Sequence, residues 1–224
     1  MSISLTGVPD LGALPTASDV IIKHLRNAIM TGAFDEGAPI RQDEIATLFN
    51  VSKIPVREAL KQLEAEGFVT FQRNRGAIVA RLTEPEIAEI FEVRAILESN
   101  AIRLSIPKMT DLDFDEAKEH CNAFDRETDV SRWADLNWTF HSSLYKAAER
   151  PYLLQMIQTV NARVERYLRL QLTISGGHEL AASEHALILA ACQDRDAERA
   201  AKLVFDHILG ASRSLQRHTM KMTA

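Results

Sequence analysis

The sequence predicts a mostly α-helical protein, with an N-terminal winged helix-turn-helix and a C-terminal all-α antiparallel six-helix bundle. Two observations lead to this fold class. Residues 41–81 contain two short segments of helical apolar spacing, a tight break between them, and two β-prone runs around a basic tip. From residue 83 onward, apolar residues recur every three or four positions, and no stretch shows sustained strand alternation.

The helix-turn-helix is predicted from two adjacent helical segments. The first ends at Asn50, and Ser52 then opens the second as a candidate N-cap whose hydroxyl can accept a backbone N–H. Pro55 falls in the first turn, where its missing N–H costs little. The apolar faces consist of Ile45, Ala46, Leu48 and Phe49 in the first helix and Val56, Ala59, Leu60 and Leu63 in the second.

A row of cations lies on the opposite face of the second helix. Lys53, Arg57 and Lys61 follow one another at a spacing of four residues, so they share one outward stripe. The hairpin predicted from strands at 68–71 and 77–82 carries Arg73 and Arg75 at its tip. A charged stripe alone is more often an ordinary solvated face. Its combination with a capped helix and an arginine-tipped hairpin instead predicts binding to duplex DNA.

Four segments are predicted along the chain. Residues 1–15 form a flexible arm, 16–82 the winged helix-turn-helix, 83–218 the helical bundle and 219–224 a tail. Thr16 or Ser18 can cap the first helix, and Thr83 with Glu86 forms a capping box at the start of the bundle. The bundle helices are predicted at 84–105, 111–127, 130–148, 151–174, 179–192 and 196–218.

Charge is distributed unevenly along the chain. The 224 residues carry a net charge of -5, which by itself disfavours a nucleic-acid partner. Residues 52–81, however, hold six Lys or Arg against three Glu, whereas residues from 83 onward hold 17 basic and 22 acidic side chains. A basic DNA-binding part attached to a larger acidic domain accounts for this distribution.

The cysteines and the N-terminus predict a cytoplasmic protein that does not bind membranes. Cys121 and Cys192 have apolar neighbours on predicted helices, which is typical of reduced core residues rather than of a disulfide or a metal site. The N-terminus lacks a basic region followed by a long apolar run, so neither a signal peptide nor a membrane span is predicted.

Histidines on three predicted bundle helices form a second candidate site. Asn137 and His141 are one turn apart on an inward face, and His185 and His207 each share the apolar stripe of their own helix. Each histidine alone is more often a hydrogen-bonded core residue than a ligand. Three histidines together, with the Asn137 amide oxygen one turn from His141, could instead be the ligands of a late divalent metal ion. Spacing alone does not show whether they converge.

Two arginines with apolar neighbours are candidate anion-binding residues. Arg94 has an internal partner, Glu98, one turn later, and an ion pair with Glu98 is as well supported as contact with a ligand. Arg163, beside Val164 and Tyr167, is a second candidate, for which an internal ion pair and contact with a ligand are again both possible.

Residues 51–60, VSKIPVREAL, together with Leu63, Glu66-Gly67 and the Arg75-Gly76-Ala77 segment, resemble the DNA-binding domain of the GntR family of bacterial transcriptional regulators. The resemblance covers about residues 17–82. It implies that the second motif helix approaches bases and phosphates and that the wing tip enters the minor groove. The full set predicted to bind DNA is Arg41, Ser52, Lys53, Ile54, Arg57, Lys61, Arg73, Arg75 and Gly76.

Two positions depart from the pattern that is commonest in this family. Lys53 stands where arginine is usual, which weakens bidentate recognition of guanine because lysine is a point donor. Asp43 stands where some members have a phosphate-contacting arginine, so that contact is not expected here.

The segments 137–144, 184–190 and 206–208 resemble the all-helical effector domain of the FadR subfamily, called FCD, in its shorter, VanR-like branch. The resemblance covers about residues 83–217. It implies that Asn137, His141, His185 and His207 hold a divalent metal ion, with zinc or nickel as candidates. Aspartate is frequent where Asn137 stands, and a neutral amide leaves the charge of the ion uncompensated, which favours a small carboxylate effector.

The leading hypothesis is a homodimeric transcriptional repressor that binds double-stranded operator DNA and senses a small carboxylate through the metal, Arg94 and Arg163. Two alternatives remain open from the residues alone. A metal-dependent hydrolase-like enzyme would use the histidines to activate water, with Glu184 as its one candidate base. A constitutive DNA-binding protein would keep the histidines as structural residues, and chelators would not alter its DNA affinity.

Overall fold

The computed structural model describes residues 15–174 and 176–223, with side chains described through residue 218. The chain forms two compact units that divide between Arg81 and Leu82. The predicted N-terminal arm, residues 1–15, lies outside the described residues except for its last position.

The described part of the first unit consists of three helices and a small sheet. Its elements are α1 (Ala17–Met30), β1 (Pro39–Ile40), α2 (Gln42–Phe49), α3 (Lys53–Ala65), β2 (Val69–Gln72) and β3 (Gly76–Val79). Thr16 is the cap of α1, because its hydroxyl accepts from the Asp19 N–H while the Asp19 carboxylate accepts from the Thr16 N–H. Arg26 of α1 holds the end of α3 through a bidentate ion pair with Glu66, at 2.7–2.9 Å.

The sheet forms the predicted wing and has one additional strand. Its order is β1-β3-β2, and both pairings are antiparallel. Strand β1 was not predicted because two residues carry no readable alternation; it pairs Ile40 with Ala77. At the wing tip Asn74 and Gly76 have φ values of 67° and 72°, a left-handed conformation that glycine adopts without strain.

Six α-helices form the described part of the second unit, as the sequence predicts. They are α4 (Glu84–Ser105), α5 (Asp111–Arg126), α6 (Trp133–Tyr145), α7 (Pro151–Thr173), α8 (Gly177–Gln193) and α9 (Ala197–Thr223). The capping box of Thr83 and Glu86 opens α4. Helix α6 is three residues shorter at each end than predicted, because 3₁₀ turns at 130–132 and 146–148 flank it. Helix α9 extends through most of the predicted tail.

The core of the second unit consists of a main apolar cluster, in which α4 and α9 make the most extensive contact, and a smaller one around Phe124 and Leu168. Cys121 and Cys192 are buried free thiols. Burial raises the pKa of the Cys192 thiol to about 12, which makes it unreactive, as expected for a core residue. Among the described residues, no helix is both long and apolar enough to span a bilayer.

Candidate functional site

Helix α3 has one buried and one exposed face. Its apolar stripe, Val56, Ala59, Leu60 and Leu63, is inaccessible to solvent. The predicted cations Lys53, Arg57 and Lys61 are exposed. Ile54 is 69% exposed, although an aliphatic side chain of this size is usually buried. Leu48 of α2 is 75% exposed, so its predicted place on the apolar face is wrong.

Ser52 occupies the N-cap position of α3, with φ -70° and ψ 166°, but its hydroxyl makes no capping hydrogen bond. The helix therefore begins where predicted, while the predicted hydroxyl cap is wrong. The physical reason is exposure: water can satisfy the first amides of a helix that begins at the surface. The Ser52 side chain is also exposed, and its hydroxyl makes no hydrogen bond that caps α3.

Two of the predicted DNA-binding cations form ion pairs with acidic residues of α2. Lys53 Nζ lies 2.5 Å from Asp43 Oδ1, and Arg41 Nε lies 3.6 Å from Glu44 Oε1. All four side chains are at least 65% exposed. Exposed pairs of this kind contribute about 0–1 kcal/mol, so a phosphate group can displace either carboxylate.

The wing tip is a second exposed cationic surface of the first unit. Arg73, Arg75 and Gly76 are all exposed. The one side-chain contact described for Arg75 is a long hydrogen bond of 3.4 Å from its Nη1 to the Gln72 amide oxygen. Both tip arginines therefore keep most of their donors accessible.

Three histidines from α6, α8 and α9 converge in the interior of the second unit. One ring nitrogen each from His141, His185 and His207 lies within 4.8 Å of the other two. The residues are 1%, 0% and 9% exposed. The Nε2 atoms of His141 and His207 are 3.2 Å apart. Two nitrogens bound to one tetrahedral ion at ~2.0–2.1 Å lie roughly 3.3 Å apart, so this pair has the spacing of metal ligands.

Hydrogen bonds to the outer nitrogens fix the tautomers of two of these rings. The Tyr145 hydroxyl donates to Glu98 Oε2 at 2.8 Å, so its oxygen accepts from His141 Nδ1–H at 3.0 Å. The Glu184 carboxylate accepts from His207 Nδ1–H at 2.6 Å. In these tautomers a neutral imidazole ring presents its lone pair at Nε2.

The cluster is electrostatically incomplete without a cation. In the tautomers with Nδ1 protonated, the Nε2 lone pairs of His141 and His207 would lie 3.2 Å apart and repel unless a proton or a cation lies between them. Both ring nitrogens of His185 are buried without a hydrogen-bond partner, which costs about 1–3 kcal/mol for each unsatisfied group. A divalent ion between the three rings would remove the repulsion and engage one nitrogen of His185. The residues present therefore fit a late divalent metal ion.

Burial keeps His141 and His185 neutral. Burial is the largest cause that lowers the pKa of both His141 and His185 well below 6.5. The next cause is the neighbouring His207 for His141, and the neighbouring His141 and His207 for His185. Burial, followed by the Glu98 charge, raises the pKa of Tyr145, so its hydroxyl remains a donor. Neutral imidazole is the form that binds a metal.

Asn137 lies beside the cluster, in a crevice that it lines together with Glu184 and His207. Asn137 is 3% exposed. The crevice volume is about 20 Å³, which accommodates about one water molecule. In this conformation, a water molecule or a single oxygen atom is the largest group that it admits.

Three residues around the histidines were not predicted to be hydrogen-bond partners in this network, although Glu184 was named as the base of the hydrolase-like alternative. Glu98 and Glu184 bring two carboxylates into contact with the cluster through Tyr145 and His207, so an anionic effector is not the only source of charge compensation. The expectation that the neutral amide of Asn137 would leave the charge of the ion uncompensated is therefore wrong. Tyr145 follows His141 by four residues, so the two side chains share one helix face, and this spacing could have predicted their contact.

The two candidate arginines have different surroundings. Arg94 is 2% exposed, and its Nε donates to Glu98 Oε1 at 2.8 Å, so the internal ion pair is the partner that the structure shows. The Nε of Arg163 is buried without a hydrogen-bond partner. No contact described among residues 15–174 and 176–218 joins Arg163 to the histidines.

Both units match known protein families. Residues 17–79 match the bacterial regulatory proteins of the gntR family, and residues 89–210 match the FCD domain. The HTH-type transcriptional repressor GlaR of Escherichia coli (strain K12) is 30% identical, with 83% of this chain and 89% of that protein covered. The Nta operon transcriptional regulator of Aminobacter aminovorans is 28% identical, with 78% of this chain and 83% of that protein covered.

A solved structure of E. coli McbR/YncC has the same fold, with a TM-score of 0.79 at 21% identity over 92% of this chain and 100% of that chain. The matched families and relatives are transcriptional regulators rather than enzymes, which removes the hydrolase-like alternative. This chain belongs to the gntR family of bacterial regulatory proteins and carries an FCD domain in its second unit.

Proposed function

We propose that this protein is a transcriptional repressor that binds duplex operator DNA as a homodimer and responds to a small carboxylate through a divalent metal ion. Its relative GlaR is named a transcriptional repressor, which supports the direction of regulation. The exposed cations of the first unit support DNA binding, and the buried histidines of the second support sensing of a ligand.

In the DNA-binding part of the proposal, the start of α3 enters the major groove and the wing tip follows the minor groove. Exposed cations on both surfaces release condensed counterions when they contact phosphates, so binding weakens as salt rises. Lys53 acts as a point donor because it lacks the fork of arginine. The proposed contacts are Ser52, Lys53, Ile54 and Arg57 with bases and phosphates, Arg41 and Lys61 with phosphates, and Arg73, Arg75 and Gly76 in the minor groove.

The proposed homodimer forms through α4. This helix leaves Val93, Ile96 and Leu104 exposed at 38%, 47% and 41%, and their spacing places them within one side of the helix. A second copy that covers this stripe would bury apolar surface that is otherwise in contact with water. Two-fold symmetry of the dimer would present two copies of α3 to a palindromic operator.

His141, His185 and His207 hold the proposed metal ion, with the Asn137 amide oxygen as a fourth ligand. The observation that carries this part is the pair of buried, unpartnered nitrogens on His185, next to the Nε2 atoms of His141 and His207, which lie 3.2 Å apart. Imidazole ligands suit zinc or nickel. When bound, the ion supplies a positive centre for a carboxylate oxygen. Tyr145 and Glu184 orient the rings around it.

The effector reaches the ion through the crevice that Asn137 lines. Its small volume admits one oxygen atom, so binding of a larger acid requires movement of the surrounding helices. Arg163 is the second proposed contact, because its Nε lacks a partner, while Arg94 contributes through its ion pair with Glu98. Coupling of this kind is typically worth ~1–3 kcal/mol, or about 5- to 150-fold in DNA affinity.

Fluorescence anisotropy with a labelled duplex from the upstream region of the gene tests this proposal. The metal-free and zinc-loaded proteins are titrated in low salt, alone and with a panel of mono-, di- and hydroxycarboxylates. We expect DNA binding that at least one carboxylate weakens 5-fold or more when zinc is present. DNA affinity that is the same with chelator, with zinc and with every acid would instead establish the constitutive alternative, in which the histidines are structural.

A further inference from the structure

We propose that a cavity between α5, α6 and α7 is a second ligand site, which binds a neutral aromatic molecule that donates a hydrogen bond. The cavity volume is about 620 Å³, within the ~300–1,000 Å³ that is usual for small-molecule sites. The crevice beside the histidines measures only about 20 Å³. The larger cavity, which is open to solvent, is therefore a place among the described residues of the second unit where a whole organic molecule fits without rearrangement.

The apolar part of the cavity wall suits a flat ring. Trp138 contributes aromatic surface, and Pro151 and Leu154 contribute aliphatic surface, while Tyr145 lies behind them and is 1% exposed. Aromatic side chains bind planar ligands by offset or edge-to-face contact, which adds to the gain from burying apolar area. This lining favours an aromatic ligand over a flexible polar one.

The hydroxyl groups of α6 that line the cavity can only accept hydrogen bonds. Thr139 Oγ1 donates to the Asp135 carbonyl oxygen at 2.8 Å, and Ser142 Oγ donates to the Thr139 carbonyl oxygen at 3.1 Å. Each hydroxyl hydrogen is thus already used, and only oxygen lone pairs remain for a ligand. These hydroxyls can therefore accept from a ligand O–H or N–H group, while Gln155 and Gln158, which also line the cavity, can donate to a ligand oxygen.

The charged groups of the cavity compensate each other. Glu116 Oε2 lies 3.1 Å from Lys146 Nζ, and Glu116 Oε1 lies 3.8 Å from His120 Nε2. This exposed pair is weak in itself, but its two charges cancel, so the wall offers no excess charge that would favour an ionic ligand of either sign. A neutral ligand leaves that pair intact and can still donate to the Glu116 carboxylate.

The cavity is distinct from the histidine cluster, although one residue borders both. None of Asn137, His141, His185 and His207 lines the cavity. Tyr145 lines it, while the Tyr145 hydroxyl contacts Glu98 and His141. Ligand binding in the cavity therefore does not depend on the proposed metal, and the two proposals can fail separately.

Fluorescence of a single tryptophan tests the site in the full-length protein. Trp133 and Trp138 are the two tryptophans of the chain, so the Trp133→Phe variant reports from the cavity alone. Phenol and its methyl ether, anisole, are the probes, because they differ in the O–H donor. We expect a saturable change of Trp138 fluorescence with phenol, and binding of anisole at least ten-fold weaker.

Two matched serine variants, made in the same background, locate the probe. Ser142→Leu fills the cavity and should weaken phenol binding at least ten-fold. Ser183→Leu is the control, because Ser183 also donates to a carbonyl oxygen of its own helix but does not line the cavity. His185→Ala, which removes a proposed metal ligand, should bind phenol like the parent. Thermal unfolding of each variant checks that it is folded.

Several results would overturn this proposal. They are the absence of a saturable phenol response, equal affinity for phenol and anisole, and unchanged phenol binding by folded Ser142→Leu protein. A phenol-insensitive parent together with an altered oligomeric state of Ser142→Leu would also overturn it, because a second copy of the chain would then cover the cavity.

Discussion

The first unit exposes its functional polar side chains, whereas the second unit buries them. On α3 and at the wing tip, Lys53, Arg57 and Arg75 are exposed, and the exposed pair that Lys53 makes with Asp43 is weak. In the bundle, His141 and His185 are at most 1% exposed and lie within a network of buried partners. The first surface can bind a large partner without rearrangement. The second can respond only to a partner small enough to enter.

This difference has an energetic consequence. An exposed cation is hydrated when DNA is absent, so its cost to stability is small. The two unpartnered nitrogens of His185 have no such compensation, and they destabilise the metal-free fold. Changes in the first unit should therefore alter affinity without altering stability, whereas changes at the histidines should alter stability as well.

The largest expected effect is on DNA binding by the double variant Arg57→Ala and Arg75→Ala. Removal of two exposed contacts at ~1–3 kcal/mol each should weaken binding by about 100-fold or more and reduce the dependence of the affinity on salt. Fluorescence anisotropy at two salt concentrations measures both quantities. Lys118→Ala with Arg213→Ala is the matched control, because these exposed residues of the second unit change net charge equally. Equal losses in both variants would show a nonspecific charge effect.

The next effect is stabilisation of the second unit by zinc. At 100 times its dissociation constant, an ion that binds only the folded state adds about 2.7 kcal/mol to the free energy of unfolding. Thermal unfolding with zinc or with chelator measures the gain, which His141→Ala should abolish. His120→Ala is the control, because His120 lies outside the cluster. If zinc still stabilised the His141→Ala protein, the ion would have to bind at a site other than the histidine cluster.

A smaller and opposite effect is expected from His185→Phe without metal. His185 packs against Phe124 and Phe140, at centroid distances of 4.7 and 4.4 Å, so an apolar ring fits its surroundings. Loss of the two unpartnered nitrogens, at about 1–3 kcal/mol each, less about 1–3 kcal/mol of strain from the larger ring, should raise the free energy of unfolding in chelator by about 1–3 kcal/mol, while the zinc effect disappears. Denaturant unfolding with and without zinc gives both values. Destabilisation in chelator would mean that His185 is satisfied in the metal-free fold.

The smallest effect is on the pH dependence of stability without metal. The pKa of His141 and of His185 is lowered in the fold, whereas in the unfolded chain both titrate near ~6.5. Below that pH the unfolded state binds more protons, so stability is fully present above about pH 6.5 and is lost as the pH falls. The loss should approach about 1.4 kcal/mol per pH unit for each histidine. Unfolding between pH 7.5 and 5 should show a shallower slope for His185→Phe.

Local patterns in the sequence were sufficient for most of the fold. The capping box at Thr83 and the buried stripe of α3 were readable because each depends on residues within one or two helical turns. The β1 strand was missed because its two residues acquire a partner, β3, only in the folded chain. The ends of α6 were misplaced because the 3₁₀ turns continue its helical pattern.

The candidate sites were predictable to different degrees for the same reason. The cations of α3 lie on one helix, so their common face follows from spacing. Convergence of the histidines depends on how α6, α8 and α9 pack, and only the resemblance to FCD domains predicted it. The contacts of Glu98 with Tyr145 and of Glu184 with His207 join different helices, so the spacing of residues within one helix could not predict them.

X-ray absorption at the zinc edge of the loaded, full-length protein tests the central claim most directly. We expect a first shell of nitrogen and oxygen ligands at ~2.0–2.1 Å, with the outer-shell signature of three imidazoles, and one imidazole fewer, or no retained zinc, in His185→Phe. Sulfur ligands near ~2.3 Å, or a spectrum that His185→Phe leaves unchanged, would contradict a metal site formed by His141, His185 and His207.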